Sequence, residues 1–279
     1  MLKQFFRYFI YSNLYIACCA VIMAEQTWFL ILRSPPNKYF LAFVFFSTIT
    51  SYSFHWYLTS ESITVSGRLA WIKKHKIYHI ILFFIGILAS AFFFFYLLPF
   101  WPWLLFSGFI TFLYSAPKIP YGFFLWLRKV AYGKTLLLAG VWTYVTTVLP
   151  IVISTGKWSP DFTFFTLSRF FLIYAICILF DYRDREDDKA AGIRSMITYF
   201  SERGITILFS FSLALFVLFT VLLLRYDYAL RDVILLLIPG LILALLYNHA
   251  KTNLSDDLYY FVLDGLMMLS ALLMLVFRI

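Results

Sequence analysis

The sequence predicts an all-α membrane protein that crosses the bilayer nine times. Of its 279 residues, 63% are hydrophobic and 13% charged, against about 25% charged residues in a soluble domain. Mean hydropathy is +0.85. Nine apolar runs are long enough to cross roughly 30 Å of hydrocarbon as helices.

In order the runs are 12–32, 38–59, 77–98, 100–116, 131–154, 162–181, 203–224, 231–249 and 256–277. Pro35-Pro36 separates the first two, Pro99 and Pro102 the third and fourth, and Gly156 to Pro160 the fifth and sixth. Pro150 and Pro239-Gly240 fall inside or near span ends, where neighbouring helices can satisfy a freed backbone carbonyl. Lys3 and Arg7 precede the first run with no small-residue cleavage pattern, so the start reads as uncleaved. Cys18, Cys19 and Cys177 all lie in apolar stretches. They support neither a disulfide framework nor a zinc site and read as small buried hydrophobes. One polytopic domain over 1–279 is expected.

Net charge is +9, and the basic residues fall in short loops between spans. Orientation in the membrane and attraction of an anionic ligand or lipid explain this better than nucleic acid. Nine spans put the N-terminus and the even-numbered loops on one side, with 16 of the 23 Lys and Arg. That side is therefore expected to face the cytoplasm. Segments 60–76 and 182–202 share it and form a basic and acidic cap, suited to a phosphate held with a metal. No protein partner is inferable.

The most informative stretch is Asp181 to Ser195, DYRDREDDKAAGIRS, in that cap. Five of the chain's 14 acidic residues (Asp181, Asp184, Glu186, Asp187, Asp188) fall within eight positions. On a helix Asp181, Asp184 and Asp188 stand within about 60° of one another, while Glu186 and Asp187 point elsewhere. Three carboxylates on one stripe make a hard-oxygen site of the kind Mg²⁺ prefers when it also carries a phosphorylated ligand. The commoner reading of a charge run after a membrane helix is a solvated loop or a cap.

These residues resemble the second motif of the UbiA superfamily of intramembrane prenyltransferases, DxxDxxxD followed by a basic residue, a Gly and a small hydroxyl residue. Tyr114-Ser-Ala-Pro-Lys118 resembles the family's YxxxK element. The resemblance implies nine helices around a central cavity, with Mg²⁺ as cofactor. It also implies a prenyl diphosphate and a lipophilic acceptor as substrates, in contact with membrane lipid. Residue by residue it assigns Asp181, Asp184 and Asp188 to the metal. Asp181, Asp184, Lys118 and Tyr114 fall to catalysis, and Lys118, Lys189 and Arg194 to the diphosphate.

The family's first motif, an Asn/Asp-rich NDxxDxxxD after the second span, has no counterpart. The chain has no Asp before Asp161, and only Glu25 and Glu61 among the earlier acids. Arg68, Lys73 and Lys74 are then expected to meet the diphosphate directly through charge-assisted bonds. His55 is a candidate ligand or acid/base group, although a hydrogen-bonded structural histidine is the more usual role. Lys134 could reach the cavity, although snorkelling to the interface is the ordinary fate of a span-end lysine, and Asp256 and Asp257 lie in a polar eighth loop that could contact the acceptor or simply be wet. Three activities remain open: prenyl transfer, cyclisation of the prenyl chain as in UbiA-type terpene cyclases, and non-catalytic binding of an isoprenoid or diphosphate. A transporter fits less well, because the acids gather at one face and not at the midplane.

Overall fold

The computed structural model describes residues 2–59, 67–119, 121, 122, 124, 133–190, 192, 193 and 195–277, and among these it is all helix with no strand. Helix α1 (Leu2–Tyr11) lies ahead of the first span, α2 (Leu14–Leu32). There follow α3 (Lys38–Leu58), the short α4 (Gly67–Lys74), α5 (Lys76–Phe95), α6 (Leu98–Lys118) and α7 (Lys134–Ser154). The chain continues with α8 (Pro160–Arg183), two short helices α9 (Arg185–Ala190) and α10 (Met196–Tyr199), then α11 (Glu202–Tyr226), α12 (Leu230–Thr252) and α13 (Leu258–Val276).

Among the described residues eight of these helices are long and apolar enough to cross a membrane. The expected nine is therefore approximate. The remaining helix, α3, has 21 residues, about 31 Å at 1.5 Å per residue. Its hydropathy is lowered by Ser47, Thr48, Thr50, Ser51, Tyr52, Ser53 and His55. Much of that polar face lines an internal cavity, so its polarity is directed inward and not toward lipid.

Local signals explain where the helices begin. The Asn37 side chain accepts from the Tyr39 and Phe40 amides at 3.0 and 3.1 Å and starts α3. Pro160 occupies the first turn of α8, where its missing N–H costs nothing. Ser195 and Ser201 cap α10 and α11. In α12, Pro239 is tolerated and Gly240 lets α11 approach: a Cβ at 240 would collide with the Phe216 ring.

The spans differ sharply in how far they are covered. Over their apolar windows α2 and α8 are 67% and 61% buried, α5 and α6 only 11% and 17%. Helix α8 is the central post, packed on α7 and α11, while α5 leans mainly on α3. The fully buried Trp28, Phe40, Phe165 and Ile176 belong to this interior. In lipid such packing, together with interhelical hydrogen bonds, takes the place of the hydrophobic drive that assembles soluble cores.

A buried cation stands midway along the post. Arg169 is 6% exposed, and its guanidinium donates to Thr27 Oγ1 (2.9 Å), Thr146 O (2.7 Å), Thr147 Oγ1 (3.0 Å) and Gln26 Oε1 (2.7 Å). Three of those acceptors lie in π-helical segments, Thr27–Leu32 of α2 and Tyr144–Val148 of α7. Such segments leave carbonyls turned out of the helix ladder, and Arg169 collects one of them. Burying an arginine at mid-helix costs about 2.5–3.5 kcal/mol. Four hydrogen bonds from a charged donor, each worth roughly 1.5–3 kcal/mol, offset that cost.

Candidate functional site

A cavity of about 700 Å³ lies between α3, α5, α6, α7, α8 and α13. Its apolar part is walled by Phe43, Phe83, Ile87, Leu104, Val141 and Met267. Its polar end gathers Asp181, Asp184, Asp187, Asp188, Lys118 and Lys134, with His55 and Tyr114 beside them.

The acidic wall comes from the end of α8 and from α9. Asp181 and Asp188 are 5% and 6% exposed, and Asp184 is partly buried. The expected stripe is realised, but not on one unbroken helix. Asp184 is the residue that ends α8, with φ −86° and ψ 3°, and α9 restarts at Arg185. The Asp188 amide still donates to Asp184 O at 2.8 Å, so an α-type bond carries the chain across the break. One expectation is corrected as a result. Asp187 also lines the cavity, because the break at Asp184 shifts the residues that follow. Glu186 does point away, exposed and paired with Lys189 at 2.7 Å.

Lys134, at the first turn of α7, does not snorkel outward. Its Nζ lies 2.9 Å from Asp188 Oδ2 and 3.4 Å from Asp181 Oδ1. Thr135 donates its hydroxyl to the other oxygen of Asp181. Burial pushes the Asp184 carboxyl up to about 6 and raises Asp188 as well, with Lys134 opposing both shifts.

The opposite wall, from α3 and α6, carries no acid among the described residues. Lys118 Nζ donates to His55 Nε2 at 2.8 Å and to Thr59 Oγ1 at 2.6 Å. Since an ammonium only donates, His55 Nε2 must accept, and the ring is neutral with its proton on Nδ1, facing Ser115 Oγ at 3.1 Å. Tyr114 stacks on that ring at 5.1 Å and 15°. Both His55 nitrogens are thus engaged. One of the two partners is Lys118, the hydrogen-bonded arrangement expected as the more usual role of this histidine.

Below this wall Arg68 is buried between the rings of Trp56 and Tyr260, 4.4 and 4.3 Å from their centroids. Its Nη2 donates to Asn13 Oδ1 at 2.7 Å. It lines the cavity, but its charge is already sandwiched. Asp256, expected only as part of a polar loop, is a junction. Its carboxylate accepts from Arg183, from the Arg68 backbone N–H at 2.8 Å and from the Tyr11 hydroxyl at 3.2 Å. Asp264 is buried and lines the cavity, whereas Glu25 does not.

Three expected diphosphate contacts fall elsewhere. Lys73 and Lys74 are exposed in the last turn of α4, and Lys189 is exposed and held by Glu186, so none of them lines the cavity. Arg194, like Glu61, lies outside the described residues.

The donor set suits a hard divalent cation, since every candidate ligand is a carboxylate oxygen. Among the described residues, however, no three His, Cys, Asp or Glu side chains are already gathered around one point. Lys134 stands between two of the carboxylates. The residues therefore fit Mg²⁺ by chemistry, with part of their charge already matched by a lysine.

Many apolar helices, a cavity opening among them, and a wall of aspartates at its polar end define an integral, multi-pass membrane protein of the prenyltransferase kind. Residues 58–259 match the UbiA prenyltransferase family, and the chain belongs to that family. Neither the curated proteins nor the solved structures provide a match. Membership supports an intramembrane, prenyl-related enzyme at the level of the family.

Proposed function

We propose that the chain is a Mg²⁺-dependent enzyme that transfers a prenyl group from a prenyl diphosphate to an aromatic or other lipophilic acceptor. The observation that carries this reading is the polarity of the cavity, with charged groups of both signs at one end and aromatic and aliphatic walls elsewhere. Such a space suits an amphiphile with a diphosphate head and a hydrocarbon tail.

In this reading Asp181, Asp184, Asp187 and Asp188 would hold the metal, which when bound supplies charge neutralisation at the diphosphate. Lys118, fixed by His55 and Thr59, donates to the diphosphate oxygens. As the allylic C1–O bond breaks, its electron pair leaves with the diphosphate. The fixed ammonium then interacts more strongly with the transition state than with the ground state. The acceptor forms the new bond to C1 and releases one proton. Tyr114, stacked on His55, and the neighbouring aromatic side chains exclude water that would otherwise capture C1, and present π faces to developing positive charge. The excess of Lys and Arg on the N-terminal side supports a cytoplasmic acidic end, with segments 60–76 and 182–202 as its cap.

Purified protein with Mg²⁺ and allylic diphosphates of several lengths, with and without a lipophilic acceptor, tests the reading. Diphosphate release that requires acceptor is expected. Release without acceptor, giving a cyclic hydrocarbon or alcohol, replaces transfer with cyclisation. Absence of release under every condition, with isoprenoid binding retained, replaces it with a non-catalytic binder.

A further inference from the structure

We infer that the diphosphate head is held here by two lysines and a single divalent ion, Lys134 standing where a second divalent ion would otherwise be needed. The inference rests on the prenyl-diphosphate reading above.

Lys134 contacts carboxylates of Asp181 and Asp188, residues seven positions apart that come from two successive helices. It therefore cancels charge within the acidic wall itself. Lys118 is the complementary case. Its two described acceptors, His55 Nε2 and Thr59 Oγ1, are both neutral, and among the described residues no carboxylate lies within ion-pair distance of it. A partly buried ammonium that has neutral acceptors for only two of its donors and lines a cavity favours an anion there. An ammonium has three N–H donors. Lys118 spends two on described neighbours and Lys134 one, on Asp188, and both line the cavity, so among the described residues each wall keeps at least one donor for a ligand between them.

The charges point the same way. A diphosphate brought against four aspartates alone demands several cations. Here Lys134 shares its single positive charge between two of the aspartates, and Lys118 supplies a second one on the wall that carries no acid among the described residues.

The test uses the full chain in detergent, with inorganic pyrophosphate and Mn²⁺ as probes. Mn²⁺ bound in the presence of pyrophosphate is counted by electron paramagnetic resonance, and pyrophosphate affinity is measured by calorimetry with and without EDTA. About one Mn²⁺ per chain is expected, together with measurable pyrophosphate binding in EDTA. Lys118→Met and Lys134→Met should each weaken that metal-free binding at least about tenfold, and Lys134→Arg should retain it. Lys134→Met can unfold the chain by leaving two aspartates opposed. The charge-balanced pair Lys134→Met/Asp188→Asn, checked by thermal unfolding, then replaces it and is expected to lose the metal-free binding in the same way. Two Mn²⁺ per chain, or metal-free affinity indifferent to both lysines, overturns the inference while leaving the diphosphate reading standing. No pyrophosphate binding with or without Mn²⁺ overturns both.

Discussion

Arg169 and Lys118 are both cations set within the helical bundle, and neither has a carboxylate partner among the described residues. Their surroundings differ in one respect. Arg169 is closed in by four neutral acceptors from α2 and α7 and does not line the large cavity. Lys118 has two described acceptors and lies on the cavity wall. The first arrangement exhausts the charge on the fold, and the second leaves some of it for a ligand. A charged residue inside a membrane segment is thus read by what its donors have left to do, and not by its presence alone.

The largest effects are expected where that distinction is absent, in the acidic wall that must act as a unit. Asp181→Ala, Asp184→Ala and Asp188→Ala should each reduce Mg²⁺-linked diphosphate binding by about a hundredfold or more, since lost metal ligands are rarely replaced. Asp187→Ala should now join them. Binding isotherms on protein shown to be folded decide between four equal losses and a milder one at Asp187, the outcome an unbroken helix would give.

Arg169→Leu breaks the comparison from the structural side. It leaves Gln26 and Thr147 without their partner, which should destabilise the bundle by about 2–4 kcal/mol. Thermal unfolding should register this, while pyrophosphate affinity of the folded fraction stays unchanged. A loss of affinity without a loss of stability would place Arg169 with Lys118.

His55→Ala sharpens it from the functional side. It should lower diphosphate affinity about tenfold by releasing Lys118, and His55→Gln, which keeps an acceptor, should recover part of the loss. An equal loss in both variants would mean that the ring touches the ligand directly.

The smallest effect is expected with pH. Asp184 titrates at about 6 because of burial, so below that pH a proton competes with the metal. The Mg²⁺ concentration for half-maximal diphosphate binding should rise severalfold between pH 7 and 5. In metal-free protein the sign is opposite. The folded carboxyl binds its proton more tightly than the unfolded one, so its contribution to stability is full below the ordinary aspartate range and is lost as pH rises through about 6. Melting curves in EDTA check this.

Most of the architecture was legible because a bilayer allows few solutions: each long apolar run had to become a helix. The eight helices that meet the length and apolarity expected of a membrane span match eight of the nine predicted runs closely. The remaining run, 38–59, is a helix as well, Lys38–Leu58, and falls short only in apolarity because much of its Ser and Thr face lines a cavity. Within the site, Asp181, Asp184, Asp188, Lys118 and Tyr114 were legible from spacing and motif, and the structure brings them to one place. The places of Lys134 and Asp256 were left undecided by the sequence. Nothing local distinguishes a span-end lysine that snorkels from one that turns inward, and the partners of Asp256 lie far away in the chain. Asp187 was misplaced because helical angles hold only while the helix does, and α8 ends at Asp184.

Those distant partners of Asp256 bear on how the protein is made. Its carboxylate meets Arg183, Arg68 and Tyr11 across 73, 188 and 245 residues. During synthesis the second acidic motif therefore leaves the ribosome well before the group that neutralises Arg183, and Arg68 and Tyr11 wait longer still. The polar end of the cavity can close only once α12 has been inserted and the loop after it has emerged. A chain ending before that loop would carry every predicted metal ligand and still lack the junction that joins α1, α4 and α8.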